Sequence, residues 1–171
     1  MIDADALARD VLAPGTPGFD EVAARWRSVV SRDGVLDRAA LGAIVFADAQ
    51  ARETLNAIVH PRVRAQSAAL EAAAVPGSIV VHDVPLLFEG DYWQQCDRNV
   101  LVVAPREARI ARVIAREGWT RAAIEARMEA QIDPKSARAR ADFTINNDED
   151  IVTLEMRART VFNALRAAAA R

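Results

Sequence analysis

The sequence predicts an α/β domain in three layers, with helices packed on both faces of a parallel sheet. Three observations carry this. Ile79, Val80 and Val81 form a short β-branched run, and Val100, Leu101, Val102 and Val103 form a second. Such continuous apolar runs read as strands buried on both faces of a parallel sheet. Helically spaced apolar residues fill the stretches between them, so the order strand, helices, strand, helix pair, strand, helix is that of a layered parallel fold.

Length and composition set the bounds. The 171 residues predict one domain, 1–171, with room for a sizeable core. A net charge of −2 argues against a general nucleic-acid binder. The lone Cys96 excludes an internal disulfide framework and fits a cytoplasmic location. Asp3, Asp5, Arg9 and Asp10 interrupt any signal-peptide pattern. No apolar run approaches the ~18 residues of a membrane span. The charge is uneven: residues 105–141 hold nine Lys/Arg against five acidic groups, a net +4. A basic island in an acidic chain suggests a local anion site. Any single arginine in it reads equally well as part of a solvated helix face.

In chain order, Ile2 reads as the end of a strand, with Asp3 and Asp5 as its polar rim. Asp5 and Arg9 are spaced i, i+4 and share a face if a helix starts here. The pair is either a base beside an anion clamp, or a helix N-cap with a surface ion pair. Residues 13–18 are a turn. A helix is expected from Asp20 with Val22, Trp26, Val29 and Val30 on one stripe, ended by residues 31–34. Asp37 caps a short helix bearing Leu41, Ile44 and Val45. Another follows from about Asp48, with Leu55, Ile58 and Val59 apolar. His60-Pro61 is expected to break it and start the next, which runs to about Ala74. His60 is either a satisfied core or cap histidine or a ligand contact. This helical material exceeds what a simple crossover needs, so residues of about 20–75 are expected to form a substrate-covering subdomain.

Pro76-Gly77 then turns the chain into the run at 79–81. His82, Asp83, Pro85, Leu86, Leu87, Phe88 and Glu89 follow it directly. Ligands of open α/β sheets bind outside the carboxyl ends of the strands, so this polar pair and apolar platform suit a bound organic group, or simply a hydrophobic turn. Tyr92 and Trp93 lie in a polar turn. After the strand at 100–103, a helix behind Pro105 is expected to carry Ile110, Val113 and Ile114 inward, with Arg109, Arg112 and Arg116 on one face. Thr120 caps a further helix ending near Gln131. Asp133-Pro134 breaks it, and a short helix to about Arg140 follows. Phe143, Thr144 and Ile145 form a third strand, Asn146-Asn147-Asp148 a turn, and Ile151, Leu154, Val161, Phe162 and Leu165 mark the last helix.

Taken together, Asp3-Ala-Asp5-x3-Arg9, Leu41-Gly42-x2-Val45-Phe46, Leu55-x4-His60-Pro61, Val84-Pro85-Leu86-Leu87-Phe88-Glu89 and Ala141-Asp142-x4-Asn147 resemble, in order and spacing, the dephospho-coenzyme A kinases. The resemblance covers residues 1 to about 150. It implies a P-loop kinase fold of nucleoside-monophosphate-kinase type. It also implies transfer of the ATP γ-phosphoryl, with Mg²⁺, to the ribose 3′-hydroxyl of dephospho-coenzyme A. By that resemblance Asp5 is the general base. Arg9, His60, Pro85, Leu86, Leu87, Phe88 and Glu89 bind the acceptor. Arg112 is a catalytic lid arginine, Arg116 and Asn147 join it in nucleotide binding, and residues of about 106–140 form the lid. No residue is assigned to a metal. The implied partners are the two small-molecule substrates, with no nucleic acid and no membrane, for a monomer or weak homo-oligomer.

One departure stands out. The family carries a Gly-x4-Gly-Lys-Ser/Thr loop about twenty residues before the position of Asp5. None of the seven glycines here precedes a Gly-Lys-Ser/Thr, and the only lysine, Lys135, lies in the lid-like segment. That loop would cradle phosphates with backbone amides, a lysine and a Mg²⁺-binding hydroxyl. Three expectations stay open: a misassigned start, a fragment with impaired activity, or a degenerate relic that binds a coenzyme A-like ligand or a protein partner. Binding of RNA by the basic helices is disfavoured by the lack of interleaved aromatics.

Overall fold

In the computed structural model, β1 (Ile2–Asp3) pairs in parallel with β2 (His82–Asp83), Ile2 opposite His82 and Asp3 opposite Asp83. The structure describes residues 1–169 and divides the chain into two units, Met1–Val84 and the part from Pro85 onward.

In the first unit the strand expected at 79–81 lies three residues further on. Ile2 donates its N–H to the Val81 carbonyl at 2.8 Å. The paired residues are Ile2↔His82 and Asp3↔Asp83, and Ile79 and Val80 have no ladder partner among the described residues. Val81 is 45% exposed rather than buried on both faces.

Asp3 ends β1 and caps α1 (Ala4–Asp10), its carboxylate accepting the Ala6 N–H at 2.8 Å. The cap is therefore Asp3 and not Asp5, because a capping side chain must lie outside the helical residues to reach back to the open N–H groups.

α2 (Pro17–Arg25) starts before the expected Asp20. Thr16 Oγ1 caps it through the Phe19 N–H at 3.1 Å, and Pro17 occupies the first turn, where a missing N–H is harmless. A Cβ on Gly18 would stand 2.3 Å from the Val11 carbonyl oxygen, so this helix approaches the preceding turn as only glycine allows. The helix stops at Arg25. Trp26 leaves helical geometry and a 3-10 turn, Arg27–Val29, turns Val29 inward.

α3 (Arg38–Ala47) is capped by Asp37, which accepts the Ala40 N–H at 2.9 Å. α4 (Ala49–Ala72) is capped by Asp48 and runs unbroken through His60 and Pro61, contrary to the expected break. An interior proline costs a helix roughly 3 kcal/mol. Packing against α1, α2 and α3 holds this one together, with Ile58 and Ser67 buried. Arg62 Nη1 meanwhile donates to the Ile58 carbonyl at 2.6 Å and Nη2 to Glu21 at 2.5 Å. The core joins Val11, Leu12, Val22, Val29, Leu36, Leu41 and Ile58.

The second unit holds β3 (Val100–Val103) and β4 (Phe143–Asn146), paired in parallel over four residues from Val100↔Phe143 to Val103↔Asn146. Between them lie α5 (Arg106–Glu117), α6 (Arg121–Glu129) and α7 (Pro134–Arg140). α5 ends at Gly118, whose φ of +69° forms the left-handed cap. Thr120 caps α6 as its position predicts, and Asp133 caps α7. Ile110 and Ile124 are buried, but Ile114, expected inward, is 42% exposed. Ile110 and Ile114 are one turn apart, and Val113 between them is half-buried.

α8 (Ile151–Ala169) packs on β4. Leu154, Val161 and Leu165 are half-buried, whereas Ile151 and Phe162 of the expected stripe are exposed. Two strands about 5 Å apart offer a helix only a narrow floor. The predicted parallel α/β architecture is present, as one two-stranded parallel pair in each unit.

Candidate active site

Both parallel pairs end in polar residues, where ligands of such sheets bind. In the first unit the Asp5 carboxylate lies in the first turn of α1, exposed and without a hydrogen bond or ion pair among the described residues. Arg9 lies in the last turn, and its carbonyl accepts Arg38 Nη2 at 3.0 Å. Asp5 and Arg9 do not pair, so the surface ion pair allowed by their spacing is not formed. His60 is exposed in the middle of α4, neither a core nor a cap histidine, because the helix does not end there.

A contact the sequence did not reveal ties β2 to α4. His82 Nε2 meets Glu71 at 2.5 Å and Nδ1 meets Ser67 Oγ at 3.2 Å. Ser67 and Glu71 are one turn apart, a usable signal, but nothing in the sequence aims that turn at His82.

In the second unit residues 85–89 have two roles. Pro85 and Leu86 are exposed, Leu86 by 54%, while Phe88 is only 5% exposed and belongs to the core near Trp93. The loop is tied down from α7 and the segment before it. Arg140 Nη1 donates to the Phe88 carbonyl at 2.5 Å while its guanidinium lies 5.5 Å from the Trp93 ring. Ile132 donates its N–H to Glu89 at 3.3 Å.

At the ends of β3 and β4, Asn147 donates its N–H to the Val103 carbonyl at 2.7 Å. Its carbonyl and Oδ1 each accept Arg112 Nη2 at 3.3 Å. Arg116 turns instead to Glu117 at 2.7 Å, and Arg109 Nε is buried with no partner. The three arginines expected on one face therefore meet three environments.

Much of the basic island is internally neutralised. Arg121 binds both oxygens of Glu107, at 2.6 and 3.2 Å, and reaches Glu125 at 3.2 Å. The hydrogen bond from Arg121 holds the Glu107 carboxyl below its ordinary value and raises Arg121 further. Arg127 covers the Trp119 ring at 4.2 Å. A face so paired suits a discrete anion site more than a polyanion track. Among the described residues no group of three His, Cys, Asp or Glu side chains could hold a metal ion, and no helix is long and apolar enough to cross a membrane.

A sequence model described as dephospho-CoA kinase matches residues 1–153. The chain belongs to the dephospho-CoA kinase family. A protein named dephospho-CoA kinase from Thermobifida fusca is 43% identical over 166 residues, covering 96% of this chain and 83% of the relative. One of the same name from Streptomyces avermitilis is 44% identical over 163 residues, 95% and 80% of the two chains. The crystal structure of TT1252 from Thermus thermophilus matches with a TM-score of 0.82 at 33% identity, covering 96% of this chain and 83% of that one. A dephospho-CoA kinase from Campylobacter jejuni shares the fold at 24% identity and a TM-score of 0.66, covering 98% and 85%. Asp5, Arg9, His60, residues 85–89, Arg112, Arg116 and Asn147 all lie within the span matched to the family.

Proposed function

We propose that these residues carry out, or form part of, ATP-dependent phosphorylation of the ribose 3′-hydroxyl of dephospho-coenzyme A. The observation that carries the reading is Asp5: a carboxylate free of partners at the carboxyl end of a parallel strand, in a chain of this family. As general base it accepts the proton of the 3′-hydroxyl as the oxygen attacks the γ-phosphorus. Arg9, His60 and the exposed part of 85–89 hold the acceptor, within a helical subdomain of about 20–75 and the loop after β2. Arg112 and Arg116, on a lid of about 106–140, bring positive charge to the phosphoryl oxygens. Phosphoryl transfer needs such positioning and charge more than covalent chemistry. Asn147 lies beside the adenine.

Mg²⁺ enters with the nucleotide in this reading, neutralising phosphate charge. Asp3 is committed as a helix cap and Asp5 serves as the base, so no carboxylate of this chain is assigned to the ion, which substrate phosphates and water would hold. Residues 1–171 contain no Gly-Lys-Ser/Thr, and we take turnover by these residues alone to be impaired for lack of a phosphate cradle. We place the reaction in the cytoplasm and the protein as a monomer or weak homo-oligomer.

The test is coenzyme A formation from ATP and dephospho-coenzyme A by residues 1–171, and by the chain extended with the in-frame codons upstream of Met1. Product from the extended form, lost in Asp5→Asn, is the expected result. No product from either form, with dephospho-coenzyme A still bound, would make the chain a binding relic of the fold. Rapid turnover by residues 1–171 would refute the need for a cradle.

A further inference from the structure

A single guanidinium brackets Asn147. Arg157, two turns into α8, donates from Nη1 to the carbonyl of Asn146 at 2.6 Å and pairs with the carboxylates of Asp148 and Glu149. It thus holds the residue before Asn147 and the two after it. The Asn147 N–H is fixed on Val103, and its carbonyl and Oδ1 take Arg112. The amide Nδ2–H₂ has no hydrogen-bond partner among the described residues, and Oδ1 keeps a second lone pair.

Without Arg157, three successive acids, Asp148, Glu149 and Asp150, would crowd this loop. Asp150 is engaged as the cap of α8 through the Thr153 N–H at 2.8 Å. The charge of the other two falls to Arg157, whose hydrogen bond holds the Asp148 carboxyl below its ordinary range. The clamp itself rests on a helix.

We propose that Arg157 is a positioning residue for nucleotide recognition: it locks the loop 146–149 so that the Asn147 amide presents acceptor and donor to the purine, and so sets a preference for adenine over guanine. The proposal rests on the reading of Asn147 given above. Adenine offers an N6–H₂ donor beside an N7 acceptor, which a carboxamide matches with two hydrogen bonds. Guanine offers O6 and N7, two acceptors, which set carbonyl against carbonyl. The match depends on one orientation of the amide, and a slack loop would lose it, so ATP would lose its advantage over GTP, whose two acceptors the amide matches in neither orientation. Arg157 touches no substrate in this scheme.

The experiment compares wild type, R157K and R157A, each in the chain extended with the in-frame codons upstream of Met1. It measures initial rates of dephospho-coenzyme A phosphorylation with ATP and with GTP, and amide hydrogen exchange at Asn147. In R157A the ATP-to-GTP ratio of kcat/KM should shrink about tenfold, the scale of one lost bidentate base contact. KM for dephospho-coenzyme A should stay within about twofold, because Arg157 does not act on the acceptor. The Asn147 amide should exchange about tenfold faster, with R157K between the two. A general loss of structure would slow both nucleotides alike and leave their ratio unchanged. An unchanged ratio in folded R157A, a wild type indifferent to the base, or unchanged Asn147 exchange overturns the proposal. If R157A does not fold, R157K and R157Q are judged by the same criteria. A wild type that makes no coenzyme A with either nucleotide refutes the phosphoryl-transfer reading instead. The clamp then stands or falls on Asn147 exchange alone.

Discussion

The carboxylate of Asp142 accepts the backbone N–H of Asn99 at 2.7 Å, across 43 residues of chain. The Asn99 carbonyl in turn accepts the N–H groups of Asp142 and Phe143, at 2.9 and 3.1 Å. This reciprocal lock fixes the first pair of the β3–β4 ladder. A one-residue slip would turn every strand side chain to the opposite face. Asp142 therefore decides that the ladder ends with Asn147 bonded to Val103.

Asp142→Ala should cost about 1.5–3 kcal/mol, as expected for a hydrogen bond to a charged group. In a chain of this size that lowers Tm by about 3–12 °C. Asp142→Asn keeps an acceptor and should lose less. Calorimetry decides it, and a Tm unchanged in the alanine variant would mean that water replaces the carboxylate.

Asp3 and Asp5 should separate cleanly. Removing a cap costs about 1 kcal/mol, so Asp3→Ala should unfold at lower denaturant. Asp5→Asn should change stability by less than about 1 kcal/mol, since it alters only an exposed first-turn charge. It should lower kcat in an active form by roughly 10²–10⁴ as the base is lost. Urea titrations beside steady-state rates test both halves. A larger stability loss in Asp5→Asn than in Asp3→Ala would transfer the cap to Asp5.

Two glycine-to-alanine changes should have opposite signs. At Gly18 the new methyl meets the Val11 carbonyl at 2.3 Å, so the backbone must move, at a cost of about 1–3 kcal/mol. At Gly42, inside α3, nothing lies within 4 Å, and alanine should add about 0.5–1 kcal/mol through helix propensity. Chemical denaturation of the pair tests the close approach directly.

Acid should loosen the start of α8. Asp148 is held below the ordinary value of 3.8 chiefly by the hydrogen bond from Arg157, and Asp150 chiefly by the Thr153 N–H. Carboxylates with a depressed folded value contribute stability that is complete above their unfolded value and is lost as pH falls through the folded one. Amide protection around residues 147–157 should therefore be flat from about pH 5 to 8 and fall below about pH 4. Arg157→Ala should remove part of that acid limb. A transition centred near pH 6.5 would implicate a histidine instead.

Local chemistry was legible from the residues. Asp37 and Thr120 cap their helices where the sequence expects, because a cap needs only a short polar side chain and the N–H groups two or three residues on. The strand Val100–Val103 and the turn at Asn147 were equally readable, from an unbroken apolar run and a polar break. Some readings failed locally, since Asp3 and not Asp5 caps α1 and Thr16 starts α2 early, and others failed through partners distant in sequence. Pro61 stays helical because α1, α2 and α3 pack around α4.

The candidate site divides in the same way. Motif order alone pointed to Asp5, Arg9, His60, residues 85–89, Arg112, Arg116 and Asn147, and to the family that the match over 1–153 bears out. Periodicity placed Arg109, Arg112 and Arg116 on one helix face, but only tertiary contacts sent one to Asn147, one to Glu117 and buried the Nε of the third. The clasp of His82 on Glu71, the anchoring of Phe88 by Arg140 and the bracket of Arg157 around Asn147 left no mark in the sequence pattern. Propensities, caps and turns act over a few neighbours, so the sequence by itself determined the elements and the family. Long side chains reach across the fold to groups whose position the whole chain sets, so the partner of each arginine and histidine was decided only by the tertiary structure.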